Sequence, residues 1–250
     1  MVLALSSRSG AAVTGQDVDY VGSEGAMPAR LYAPAGAGRL PGVLVLHTLA
    51  GPGPNVDAFA RDLATAGYVT LAPDVFALHD FGPAGRTDHP LILGDAKGAL
   101  AYLKGLPRVD PDRIGVVGFS FGGRLAAMMG VLHAAELRAI VVYYAIIAHA
   151  ALRGPIPPAA AGAVALTQRA GAFRAPVMIH HGEVDANVPV AQAKLLHQAL
   201  IGAGKSSVLH IYPAADHLFN FSLGPEAHYH PEAARLSWQR TLDFLSRHLK

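Results

Sequence analysis

The stretch Ile114-Gly-Val-Val-Gly-Phe-Ser-Phe-Gly122 (IGVVGFSFG) decides how the chain is read. Its first part is a short apolar run that predicts a buried strand over Ile114–Gly118. The residues behind it, Ser120–His133, predict a helix. Between the two, Gly118-Phe119-Ser120-Phe121-Gly122 has the G-x-S-x-G spacing of a sharp strand-to-helix turn. Glycines on both flanks let neighbouring backbones come close, and the serine Oγ is raised above the end of the strand. The plain alternative is a glycine-rich turn carrying a solvent-facing serine.

Working outward, short apolar runs alternate with amphipathic segments. Gly42–His47 (GVLVLH), Tyr68–Ala72, Ala139–Tyr144, Pro176–His181 and Val208–Tyr212 read as strands. Asp17–Gly22 and Ala29–Ala33 form an opening pair. Asn55–Ala66, Leu91–Leu106, Val190–Ala203 and Pro231–His248 read as helices. This alternation predicts a parallel sheet joined by crossover helices. Gly67 stands where a helix C-cap is expected and Pro231 in a first helical turn. In the last helix Ala234, Trp238, Leu242, Leu245 and Leu249 draw one apolar stripe. Gly154–Gly171, rich in Pro, Gly and Ala, breaks the alternation and reads as a surface excursion. With no internal repeat and no linker, residues 1–250 read as a single domain.

Composition removes several classes of function. Of the 250 residues 52% are hydrophobic and 15% charged, against about 25% charged in an average soluble protein. That is enough apolar material for a sizeable core and excludes wholesale disorder. Lys and Arg number 20 against 18 Asp and Glu, with no basic run, so no nucleic-acid partner is expected. With no cysteine, disulfides, thiolate metal sites and a cysteine nucleophile are all excluded. The longest apolar stretch, Ala139–His149, is too short to span a bilayer, and the N-terminus makes a poor signal peptide. A cytoplasmic chain without a membrane partner is the expectation.

A serine hydroxyl is a weak nucleophile and needs a base that a third group orients. His217 follows the last strand in Pro213-Ala-Ala-Asp-His217, and Asp185 follows the strand Pro176–His181 in Gly182-Glu-Val-Asp185. Ser120, Asp185 and His217 thus all fall just beyond strand ends, where open α/β sheets place ligands, and in the order Ser, acid, His. Asp216 and Glu183 are rival acids. His180 and His181 precede the acid and suit the base role poorly. His228-x-His230 resembles a metal pair without a third ligand, and capping of the last helix accounts for His230 equally well; no metal and no cofactor are expected. The backbone N–H groups of Phe121 and of Leu49, in the loop after GVLVLH, are the expected oxyanion donors.

These residues resemble the dienelactone hydrolase family of the α/β-hydrolase superfamily. The resemblance runs through His47-Thr-Leu-Ala-Gly51 with Asn55, Gly67-Tyr-Val-Thr-Leu-Ala-Pro-Asp74 and Val109-Asp-Pro-Asp-Arg-Ile-Gly-Val-Val-Gly118. It continues in Phe119-Ser-Phe-Gly-Gly-Arg124, His181-Gly182 to Asp185 with Val188-Pro189, Tyr212-Pro213 to His217 with Phe219, and Tyr229 to Leu245. It implies an α/β-hydrolase fold, with a predominantly parallel central sheet and flanking helices; the segment Phe76–Pro90 is too short for a large lid, so the lid is minimal. It also implies an ester or lactone hydrolase on small-molecule substrates; a monomer or homodimer is the expected state. Three departures bear on function. The family's cysteine nucleophile is Ser120 here, native or replacing a cysteine. The family's glutamate after the third strand aligns with Thr48, and its substrate-holding arginine aligns with about Phe221, which argues against a carboxylate-bearing substrate. Arg86 or Arg124 is the remaining source of a cation. Thr48, Phe76, Phe81, Tyr144, Leu218 and Phe221 are the expected lining of a compact apolar pocket for small esters. Dienelactone hydrolase proper, peptidase, promiscuous phosphotriesterase and non-catalytic ligand-binding relative are the alternatives.

Overall fold

The apolar runs become the strands of one eight-stranded sheet in a computed structural model that describes residues 12–79, 89–147, 166–223 and 228–250. In chain order the strands are β1 (Val13–Val21), β2 (Ala26–Pro34), β3 (Leu40–Leu46), β4 (Val69–Pro73), β5 (Val109–Phe119), β6 (Ala139–Tyr143), β7 (Val177–Gly182) and β8 (Ser207–Tyr212). They lie in the order β1-β2-β4-β3-β5-β6-β7-β8. β1 with β2 and β2 with β4 pair antiparallel, while β4 onward is parallel. The helices are α1 (Pro54–Thr65), α2 (Pro90–Gly105), α3 (Phe121–Leu132), α4 (Ala191–Gly202) and α5 (Pro231–Leu249).

Alternation along each strand splits the core into two layers. Val43, Val45, Val117 and Phe119 pack with α1 and α5, through Leu63, Phe244 and Leu245. Leu44, Leu46, Ile114 and Val116 face α2, α3 and α4, through Leu100, Leu125 and Leu196. With both faces covered, the central strands carry continuous apolar runs, which is why GVLVLH and IGVVG are legible in the sequence.

Two strands run further than their apolar patterns. β1 starts at Val13 because its exposed residues still pair in register with β2, Val13 opposite Pro34. β5 starts at Val109 although Pro111 lies inside it. Val109 and Asp110 pair with Leu40 and Pro41, and the ladder resumes with Ile114 opposite Gly42 after a register shift. The proline sits in the irregularity, where no ladder hydrogen bond is required of it.

The last helix corrects the expected stripe. Its buried line is Ala233, Ser237, Thr241, Phe244, Leu245 and Leu249, while Ala234, Trp238 and Leu242 lie at its flank, half-buried. Polar residues are tolerated there because they find partners: Thr241 Oγ1 lies 2.8 Å from the Tyr143 hydroxyl and 3.1 Å from His180 Nε2. The excursion over Gly154–Gly171 lies outside the described residues up to 165. Its end forms a 3₁₀ helix, Leu166–Ala172, that buries Leu166 and Ala170, so this part belongs to the core and not the surface. No helix among the described residues is long and apolar enough to cross a membrane.

Candidate active site

The parallel strands β3, β5, β7 and β8 end at the same edge of the sheet, with β6 between β5 and β7, and their following loops bring the candidate residues together. At the end of β5, Ser120 adopts φ 54° and ψ −111°, a left-handed conformation uncommon for a residue with a side chain. Its N–H donates to the Tyr143 carbonyl at 2.9 Å, fixing the turn against β6. A Cβ on Gly118 would strike the Gly122 carbonyl, and one on Gly122 would strike the Leu46 and His47 carbonyls. The two glycines of the motif are therefore demanded by backbone approach, and Ser120 is left at the start of α3.

His217 Nε2 lies 3.0 Å from Ser120 Oγ, and His217 Nδ1 lies 2.8 Å from Asp185 Oδ2. A carboxylate only accepts, so Nδ1 carries the proton and the Nε2 lone pair faces the serine O–H. Asp185 is itself held: Oδ1 accepts from the N–H groups of Asn187 (3.0 Å) and Val188 (2.7 Å). Its side chain is fully buried. The rival acid, Asp216, is committed elsewhere. Its Oδ1 accepts from the backbone N–H of Ala186 at 2.8 Å and of His217 at 2.6 Å. Burial pushes the Asp216 carboxyl upward, but those N–H donors and His228, 3.1 Å away, outweigh it and hold it below the usual range. Asp216 thus ties the two loops together through main chain and does not orient the imidazole. Glu183 is exposed.

The remaining histidines divide by environment. His181 is buried, with Nε2 donating to the Val188 carbonyl at 2.8 Å and standing 3.5 Å from Asp185 Oδ2. Burial pushes its pKa down, so it is a neutral brace of the loop that carries Asp185. His180 points to the opposite face, where Nδ1 meets the Tyr212 hydroxyl at 2.8 Å. Its complete burial drives its pKa well down. His230 caps α5 by accepting from the Ala233 N–H at 3.2 Å. Among the described residues no group of three or more His, Cys, Asp or Glu is placed to hold a metal ion.

Two residues carry roles that sequence reasoning missed. Buried His47 accepts the Val75 N–H at Nε2 (3.2 Å), so its protonated Nδ1 donates to the Thr48 carbonyl (2.7 Å). Gly51 N–H reaches that carbonyl as well, at 3.1 Å. With the Thr48 carbonyl fixed, the trans peptide turns the Leu49 N–H the opposite way. Asn55, at the start of α1, donates Nδ2 to the Leu223 carbonyl (2.7 Å) and accepts at Oδ1 from Ser222 (3.1 Å) and Leu223 (2.9 Å). It clamps the loop after His217 to the loop after β3. A buried histidine at a strand end and an Asn inside Pro-Gly-Pro-Asn are the only local signals, and neither names its distant partner.

Three of the expected lining residues share one groove. Thr48, Leu218 and Phe221 line a groove of about 340 Å³ together with Pro52, Asn55 and Leu223. Phe76 is not part of this lining: it is nearly buried, its ring 4.7 Å from His47 and 5.0 Å from Phe121. Tyr144 has no exposed surface, which corrects its place among the lining residues. Its ring packs edge-on 4.8 Å from His217 and its hydroxyl donates to Asn220 Oδ1 at 2.8 Å. This burial raises its pKa well above the usual phenol range. Arg124 is buried, donating to the Ile146 (3.3 Å) and Ile147 (2.7 Å) carbonyls. Phe81 and Arg86, and most of the segment read as too short for a large lid, lie outside the described residues.

A mostly parallel eight-stranded sheet flanked by helices, with a serine at the sharp turn after its central strand, defines an α/β-hydrolase fold. Within that class the chain belongs to the dienelactone hydrolase family, whose model matches residues 27–249, and it is a hydrolase of that family. It is 30% identical over 234 residues to the Bradyrhizobium protein named "Probable 2-oxo-3-(5-oxofuran-2-ylidene)propanoate lactonase", covering 88% of this chain and 89% of that one. It is 27% identical over 233 residues to the Methylorubrum extorquens protein named "Putative carboxymethylenebutenolidase", covering 88% of this chain and 77% of the other. The crystal structure of a "Putative Dienelactone Hydrolase" from Klebsiella pneumoniae superposes with a TM-score of 0.79 at 26% identity, over 94% of this chain and 99% of that one.

Proposed function

We propose that the chain hydrolyses small carboxylic esters or lactones through an acyl-enzyme on Ser120. The observation that carries this reading is the continuous chain Ser120 Oγ to His217 Nε2 (3.0 Å) and His217 Nδ1 to Asp185 Oδ2 (2.8 Å). Ser120 Oγ attacks the carbonyl carbon as His217 Nε2 takes its proton, and Asp185 holds the tautomer and stabilises the imidazolium. The Phe121 and Leu49 amides receive the developing oxyanion, each such donor contributing about 3 kcal/mol. His217 then gives its proton to the leaving alkoxide, and water, deprotonated by the same nitrogen, releases the acid. No cofactor takes part.

Relatives named as a lactonase and a carboxymethylenebutenolidase support a small cyclic or linear ester as substrate. Thr48 in place of the family's thiol-partnering glutamate favours serine chemistry, since a hydroxyl leaves no thiolate to manage. The phosphotriesterase and peptidase readings share the same serine and rest on the fold alone. The single-domain, cytoplasmic reading belongs to the same proposal.

The test is hydrolysis of p-nitrophenyl acetate to octanoate at pH 8 by the native chain and Ser120→Ala, with mass-spectrometric mapping of a fluorophosphonate adduct. A loss of about 10³-fold or more in the variant and an adduct on Ser120 are expected. Equal rates and no adduct would overturn the reading.

A further inference from the structure

A groove opens between Thr48 and Leu218, the chain neighbours of Leu49 and His217. No charged side chain is among the described residues that line its 340 Å³, a volume at the lower end of the ligand-pocket range of about 300–1,000 Å³. Its walls are Thr48 and Pro52 on one side and Leu218, Phe221 and Leu223 on the other. A carboxylate placed there would lose hydration and meet no counter-ion among the described lining residues.

The second wall is one short segment following His217. Leu218 has φ 58°, and the Phe221 N–H closes a turn on its carbonyl at 2.8 Å. The Phe221 ring then rests 5.1 Å from Phe119. Beyond this turn, Ser222 and Leu223 are fastened by Asn55 through three hydrogen bonds of 2.7–3.1 Å. Asn55 therefore sets the distance between the two walls.

Resting on the acyl-enzyme reading, we infer that this groove receives an uncharged, apolar alkoxy group, the leaving half of the ester, and that Asn55 is the positioning residue that sets its width. The side follows from proton transfer. His217 Nε2 must reach the leaving oxygen, and the substituent on that oxygen then runs along the residues that succeed His217, Leu218 to Phe221. The acyl substituent, bonded to the carbonyl carbon and not to that oxygen, lies outside this groove.

Two ester series separate the halves: acetates of methanol, n-butanol and benzyl alcohol, and methyl esters of acetic, butyric and benzoic acids, followed by pH-stat. In Asn55→Ala the kcat/KM ratio of butyl over methyl acetate falls about tenfold, the loss expected from a wall that has lost its hydrogen bonds. The ratio of methyl butyrate over methyl acetate moves less than about twofold. A purely structural role for Asn55 would lower both series alike. An unmoved alcohol-series ratio, or a shift confined to the acyl series, overturns the inference.

Should Asn55→Ala not fold, Phe221→Arg decides. It is expected to raise kcat/KM for the acetate ester of 4-hydroxybutyrate, whose carboxylate lies on the leaving side, by about tenfold relative to butyl acetate. No gain overturns the inference. Fluorophosphonate labelling distinguishes the two levels: an unlabelled Ser120 overturns the esterase reading and this one with it, whereas labelling with unmoved ratios overturns only the groove assignment.

Discussion

Replacing Asp185 by Asn tests the acid assignment more sharply than deleting it, because the two carboxylate oxygens have different partners. Oδ1 accepts two backbone N–H groups, Asn187 at 3.0 Å and Val188 at 2.7 Å, while Oδ2 faces His217 Nδ1 at 2.8 Å. An Asn side chain has one carbonyl oxygen and one NH2. Its lower-energy placement leaves the carbonyl toward the two N–H donors and turns the NH2 toward His217. Nδ1 must then accept, the imidazole proton moves to Nε2, and no lone pair remains for the Ser120 hydroxyl. The opposite placement restores the tautomer but opposes the NH2 to two N–H groups, at about 1–3 kcal/mol for each buried donor left unpaired. A cost near 4 kcal/mol leaves about one molecule in 10³ with the active tautomer. The expected result for Asp185→Asn is therefore a fall in kcat/KM of about 10³-fold on p-nitrophenyl butyrate at pH 8, with fluorophosphonate labelling slowed in parallel. Asp216→Asn keeps an acceptor oxygen for the Ala186 and His217 N–H groups and should lose less than about tenfold. An Asp185→Asn enzyme that keeps more than a tenth of its activity, or an Asp216→Asn enzyme that loses as much, would refute the reasoning.

Three further outcomes follow from the same contacts. His180 and His181 have pKa values lowered by burial, so the unfolded chain binds protons that the folded chain does not. Stability should accordingly fall as pH drops below about 6.5, by about 1.4 kcal/mol per pH unit for each histidine still neutral in the fold; urea titrations between pH 7.5 and 5 measure the slope, and a flat profile contradicts it. Gly122→Ala drives a methyl into the Leu46 and His47 carbonyls, neither of which is a flexible side chain. It should cost about 3 kcal/mol in a urea melt, and a loss under about 1 kcal/mol would show that the strand-to-helix turn tolerates a Cβ. Tyr144→Phe removes the 2.8 Å bond to Asn220 but keeps the ring against His217. A loss of about 1–2 kcal/mol of stability is expected, and an unchanged urea midpoint would argue against this bond holding the His217 loop.

Much of the architecture was legible in the chain itself. A strand covered on both faces must be apolar throughout, so GVLVLH and IGVVG announce β3 and β5 with no knowledge of their neighbours. The strand-to-helix turn at Ser120 is equally local, because glycine is needed wherever backbone closes on backbone, at Gly118 and Gly122. Topology then delivers Ser120, Asp185 and His217 to one sheet edge, since every parallel strand ends on the same side.

Only the tertiary structure gave Asp216 its partners, separated Leu242 from Thr241, and set Asn55 apart from an ordinary loop residue. Each distinction rests on hydrogen bonds between groups remote in the chain. Asp216 is committed to Ala186, 30 residues away; Thr241 is satisfied by Tyr143, 98 residues away; Asn55 closes on Leu223, 168 residues away. Periodicity reports which face of an element is apolar, and turn chemistry reports where the backbone bends. A polar side chain that is buried because a distant partner satisfies it leaves neither signature, and so the donors and acceptors that organise this site emerge only when the sheet brings their loops together.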